Sequence, residues 1–104
     1  MTKIHGLKLD ARYFEEAADC TKTFEIRKND RDFHIGDVLE LREWIQGIDA
    51  GQYTGEVCYK IITYILDDPA YLRDGYVCLG VMPTNQPTMA QDWRDLNREP
   101  DHAE

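Results

Sequence analysis

Residues 22–37, KTFEIRKNDRDFHIGD, gather four basic side chains, Lys22, Arg27, Lys28 and Arg31, within ten positions of a chain whose formal net charge is −8. From Lys22 to Arg27 the polarity alternates. Phe24 and Ile26 fall on one side and Thr23, Glu25 and Arg27 on the other, the period-two pattern of a strand whose apolar face meets a core. Asn29-Asp30-Arg31-Asp32 is a turn cluster, because Asn and Asp side chains cap nearby backbone groups. Ile35-Gly36-Asp37 is a second turn, and Val38 to Trp44 reads as the next strand. A basic run in an acidic chain has two explanations: the rim of a site that holds an anion, or a solvated strand with a surface Glu25–Arg27 pair, an arrangement that is common and weak.

Upstream, residues 3–9 (KIHGLKL) read as a short strand interrupted by Gly6. Asp10 then suits a helix N-cap, with Tyr13, Phe14, Ala17 and Ala18 on one buried stripe and the helix ending near residues 19–21. Downstream, residues 46–52 (QGIDAGQ) form a loop. Tyr53 to Leu66 is the longest strand candidate, with Val57, Tyr59, Ile61 and Ile65 alternating against Cys58, Lys60, Ile62 and Tyr64. Its second half is apolar on both faces and is expected to be deeply buried. Asp67-Asp68-Pro69 stops it, and Tyr76 to Val81 is the last strand. One early helix followed by several strands of uneven length predicts an α+β fold, a small mixed β-barrel with the N-terminal helix packed at its opening; closing the sheet would remove its exposed edges.

At 104 residues the chain suits one domain. A 42% hydrophobic and 31% charged composition fits a folded globular protein rather than a disordered one. No apolar run reaches the roughly 18–20 residues a bilayer span needs, and the N-terminus has no signal-peptide core, so a cytoplasmic, non-membrane protein is expected. Residues 1–82 form the expected domain. Residues 83–104 carry two basic and five acidic side chains and read as an acidic, flexible tail, in which Trp93 and Leu96 are spaced for a single helical turn. Three widely spaced cysteines suit neither a disulfide framework nor a zinc knuckle, and Cys58 and Cys78 read as small buried hydrophobes. The three histidines have no metal spacing, and neither a metal nor a cofactor is expected.

The order of residues resembles the ASCH domains of the PUA-like superfamily. It is more closely similar to a small bacterial and phage family of ASCH-like proteins of unknown function, DUF3850-like, often described as RNA-binding. The ASCH signature G-x-K-x-x-E-x-R places its charged positions at Lys22, Glu25 and Arg27. The closer similarity runs over most of residues 5–81, through His5-Gly-Leu-Lys8, Phe14, Lys22 to Arg27, Asn29-Asp30-Arg31, Gly36-Asp37, Glu43, Tyr53-Thr54-Gly55 and Gly75-Tyr76. The signature's glycine falls at Cys20, so a family backbone with positive φ there would strain this residue. The resemblance implies a PUA-like barrel with a cleft between the barrel face and the first helix, lined by Lys22, Glu25 and Arg27. It also implies an RNA or nucleotide-like ligand. Some relatives are nucleases or amidohydrolases of a modified cytidine. Those amidohydrolases have a threonine where this chain has Glu25, so their mechanism does not transfer.

Two functional expectations follow, from different classes. In a binding module Lys22 and Arg27 contact phosphate or an acyl oxygen, and Glu25 orients Arg27 or accepts from a base edge. In a small metal-independent hydrolase acting on a nucleoside or RNA, Lys22 and Glu25 are the catalytic pair, Lys22 polarising the electrophile and Glu25 activating water. Arg31 is the candidate for a second anion contact. His5 and Lys8 precede the helix and are placed on the other wall of the cleft. Trp44 is the preferred stacking platform for a base, whereas Phe14, Phe24, Tyr59 and Tyr64 are assigned to the core. Lys60 is read as distant from the basic run. The acidic tail is able to bind a protein partner or cover the basic rim, but its residues name none.

Overall fold

Asp10 ends one element and begins the next. In the computed structural model, which describes residues 2–85, strand β1 (Ile4–Asp10) runs straight into helix α1 (Ala11–Ala18). The Asp10 carboxylate accepts the Arg12 backbone N–H at 2.9 Å, capping a donor that the first helical turn leaves unmatched. Phe14 and Ala17 face inward from the helix, and Tyr13 is half-buried against them. Ala18 is exposed, so the apolar stripe is one residue narrower than its spacing implied.

Four further strands follow: β2 (Phe24–Lys28), β3 (Val38–Ile45), β4 (Gln52–Leu66) and β5 (Tyr76–Pro83). They form one sheet with β1 in the order β1-β3-β4-β5-β2, parallel between β1 and β3 and antiparallel elsewhere. The ladder continues past the composition break, since Lys60 pairs with Pro83 and the Thr84 N–H donates to Tyr59 O at 3.1 Å. Residues 86–104, with Trp93 and Leu96, lie outside the described residues. Among those described, no helix is long and apolar enough to cross a membrane.

Register decides which side chains share a face. Leu7 lies opposite Leu41, Leu39 opposite Lys60, Leu41 opposite Cys58, Ile62 opposite Val81, Leu79 opposite Glu25, and Val77 opposite Arg27. These leucines, isoleucine and valines form one buried cluster with Leu9, Phe14, Ala17 and Phe33. Glu25 and Arg27 therefore point into the core. The alternation in β2 is as the sequence indicates, but its apolar and charged sides are exchanged: Phe24 is 43% exposed and Glu25 and Arg27 are both 0% exposed.

A bulge between Ile62 and Tyr64 alters β4 in a second way. It adds Thr63 to the strand, so Ile62 and Ile65 face the core while Tyr64, opposite Gly80, turns outward and is 63% exposed. The second half of β4 is thus half-buried rather than buried on both faces, and neither Phe24 nor Tyr64 belongs to the core.

The sheet curls into a half-barrel with one short helix. Its two edge strands, β1 and β2, approach each other without a backbone ladder. Side chains bridge this seam. Arg27 Nη1 donates to Lys8 O at 2.8 Å, and Arg31 Nη1 reaches Gly6 O at 3.5 Å, the long limit for such a bond. The expected barrel is thus open as a backbone ladder: arginine side chains, not strand pairing, join its two edges and give two β1 carbonyls a partner.

Candidate functional site

The turn after α1 places the basic run. Asp19 N–H donates to Glu15 O at 2.9 Å, and Cys20 then takes a left-handed conformation, φ 69°. Lys22 N–H returns to Glu16 O at 2.9 Å, fastening the start of β2 to the helix. This is the helix termination that usually employs glycine. Cys20, at the signature's glycine position, adopts the strained conformation directly.

Lys22 Nζ lies 2.8 Å from Glu25 Oε2 and 2.7 Å from Phe24 O, while Glu25 Oε1 accepts from Arg27 Nη2 at 2.9 Å. One carboxylate thus joins two cations, and Arg27 carries the chain of contacts on to Lys8 O. Charges taken out of water are tolerated only with this kind of close, charge-assisted pairing. The three charged signature positions meet, yet only Lys22 stands at the surface, its side chain 10% exposed. A cavity of about 350 Å³ opens there, between α1 and β2, lined by Tyr13, Glu16, Thr21, Lys22 and Phe24. Its volume lies at the small end of the range of about 300–1,000 Å³ for ligand pockets.

Two more residues border the triad from β4. Burial pushes the Cys58 thiol up to about 11; the nearby Lys60 charge opposes that shift, while Glu25 and Cys20 add to it. Lys60, expected to be remote, is 2% exposed, and its Nζ lies 3.7 Å from Cys20 Sγ. A lysine at the position between Cys58 and Ile62 shares their inward parity, and that is the sequence signal which could have placed it.

The remaining predicted site residues lie elsewhere. The Lys8 side chain rests over the Trp44 ring, 4.4 Å from its centroid, on the sheet face opposite the triad, and Tyr53 meets Trp44 edge-on at 4.9 Å. Only the carbonyl of Lys8 reaches Arg27, so neither the Lys8 side chain nor Trp44 lines the cleft. Arg31 is bound into the seam, its side chain 11% exposed, with Asp30 Oδ1 at 3.7 Å from its Nε.

His5 is fully buried near the turn of residues 32–37. Its Nε2 bonds Asp37 Oδ2 at 2.9 Å and its ring meets Phe33 edge-on at 4.8 Å. Asp37 also accepts Lys3 N–H at 3.2 Å and His34 N–H at 3.0 Å, so His5 and Asp37 hold the turn in place. A surface depression of about 450 Å³ lies beside this turn, but its carboxylate is already committed to the fold.

Burial lowers the His5 imidazole from its usual 6.5, outweighing the hydrogen bond and charge of Asp37, which pull it up; the charges of Arg31 and Lys3 lower it further. The folded protein therefore keeps His5 neutral at pH values where the unfolded chain binds a proton. The stability contributed by this state is complete above about pH 6.5 and declines as the pH falls below it toward the folded-state value. Urea midpoints should fall between about pH 7 and pH 5 in the native protein and fall less in His5→Gln, which cannot ionise. Equal pH slopes in the two proteins would remove His5 as the cause.

The family of a domain of unknown function, DUF3850, matches residues 4–81, from the start of β1 into β5. A 12.9 kDa protein of Escherichia phage P2, described as uncharacterised and lying in the GpA 3′ region, is 42% identical over 79 residues, covering 76% of this chain and 68% of the phage protein. The match spans the helix, the left-handed turn, the charged triad and both sides of the seam, and by it the chain belongs to the DUF3850 family.

Proposed function

We propose that this protein is an ASCH/PUA-like module that binds RNA, or a nucleotide-like ligand, in the cleft between α1 and β2. The observation that supports this reading is the cavity of about 350 Å³ with Lys22 at its floor and the exposed ring of Phe24 at its wall. An ammonium beside an aromatic surface offers a phosphate or carbonyl oxygen one contact and a base another. In this reading Glu25 and Arg27 do not touch the ligand. They hold Lys22 in place from below.

The alternative, a metal-independent hydrolase with Lys22 and Glu25 as its catalytic pair, needs Glu25 to activate water. Both Glu25 oxygens are engaged by cations and its side chain is 0% exposed, which favours the binding reading. Lys22→Ala and Phe24→Ala should each weaken binding of a short single-stranded RNA by roughly 1–3 kcal/mol. The salt dependence should be shallow, equivalent to about two to four phosphate contacts. Trp44→Ala, on the opposite sheet face, serves as the control and should bind like the native protein. Absence of binding to both RNA and a mononucleotide at low salt, or an equal loss in the Trp44 variant, would refute the proposal. RNA cleavage that requires Glu25 would establish the hydrolase instead.

A further inference from the structure

Lys60 projects from the middle of β4 into the core, opposite Leu39, and is 2% exposed. Among the described residues its ammonium has one hydrogen-bond partner, the sulfur of Cys20 at 3.7 Å. A thiol sulfur is a weak acceptor, and a buried ammonium is costly without strong partners. Neither neighbouring carboxylate serves it. Glu25 is occupied by Lys22 and Arg27, and Asp19 accepts the Thr21 N–H at 2.9 Å and the Thr21 hydroxyl at 2.6 Å, with Lys60 acting on it only at longer range. Cys20, which screens the ammonium, is exposed and lies next in sequence to Thr21 and Lys22, both of which line the cavity.

We infer that Lys60 is a concealed anchor for a phosphate-bearing ligand, whose anionic oxygen displaces the weak sulfur contact at Cys20 and pairs with the ammonium beneath the cleft. This rests on the nucleotide-binding reading above and narrows it: the group that enters deepest is the phosphate, and the base is left at the rim beside Phe24. Such an anchor has an unusual signature. A lysine kept for ligand binding is a burden on the empty fold, so replacing it by an apolar side chain of similar length strengthens the protein and weakens binding together. A lysine kept for the fold does the reverse.

The full chain is compared with Lys60→Met and with Lys60→Gln, a second neutral variant, by thermal unfolding in inorganic phosphate and in chloride at equal ionic strength. Uridine 5′-monophosphate and uridine are titrated into each protein. Phosphate should raise the native unfolding midpoint clearly more than those of the variants, which keep only the general stabilisation by an excluded anion and the Lys22 contact. Without phosphate, Lys60→Met should melt about 4–8 °C higher than the native protein, the shift that about 1 kcal/mol produces in a domain of this size. Affinity for the monophosphate should fall about ten- to one hundredfold in both variants, the effect of losing a hydrogen bond to a charged group, with uridine unaffected.

A lower midpoint for Lys60→Met in chloride, or equal phosphate responses in all three proteins, overturns the anchor. If RNA binds in a Lys22-dependent manner and the Lys60 variants retain full monophosphate affinity, this inference alone fails. If neither RNA nor the monophosphate binds the native protein, the nucleotide-binding proposal fails with it.

Discussion

Glu25→Ala is expected to lower the free energy of unfolding by about 3–5 kcal/mol, the range for removing one partner of a buried ion pair. The residue is fully buried, and its two oxygens lie 2.8 Å from Lys22 Nζ and 2.9 Å from Arg27 Nη2. Alanine would set an ammonium and a guanidinium against each other with the carboxylate between them removed, and the guanidinium, whose side chain is 0% exposed, would lose its charged partner. Small domains have only about 5–15 kcal/mol to lose, so the variant should approach the edge of folding at ambient temperature. Urea denaturation gives the measurement. A drop under about 1 kcal/mol would mean that the pair behaves like an exposed one.

Arg27→Met is expected to have a comparable effect by a different route. Methionine fills much of the same volume but cannot bond Glu25 Oε1 or the Lys8 carbonyl across the seam. The loss should again be about 3–5 kcal/mol, and it should be distributed unevenly. Amide exchange should accelerate most in β1 and β2, the two edges that Arg27 joins, and least in the central strands β3 and β4, because the seam can open locally while the ladder persists. Uniform acceleration over all five strands would show that the bridge contributes nothing particular to closure.

Local signals in the sequence were reliable. All five strands are located to within two residues, β2 and β4 from their alternation, Asp10 is read as the helix cap, and the glycine missing from the signature marks Cys20, whose φ is 69°. Contacts distant in sequence were less legible. Charged side chains are assigned to solvent by default, and nothing within β2 reveals that Arg27 finds an acceptor on β1 that makes its burial tolerable. The Thr63 bulge is equally concealed, because an extra residue reverses the alternation after it without changing the composition of the strand. Lys8 is expected at the cleft because it precedes α1, and Trp44 because it is an aromatic not assigned to the core, whereas strand parity sends both side chains to the opposite face. The triad is legible from its own residues; parity alone marks Lys60 as inward, but nothing in β4 shows that it meets the turn at Cys20.

The strand order also bears on the sequence of events during synthesis. β2 has one ladder partner, β5, which pairs Phe24 with Gly80 and Lys28 with Tyr76. The basic segment leaves the ribosome early but cannot join the sheet until β5 has been made. Until then β1, β3 and β4 can assemble among themselves while Lys22, Glu25 and Arg27 remain hydrated, and a strand bearing such charges is a poor template for association with neighbouring chains. The cost of taking those groups out of water is deferred to the last docking event, so the cleft and the closed seam appear together as the final acts of maturation.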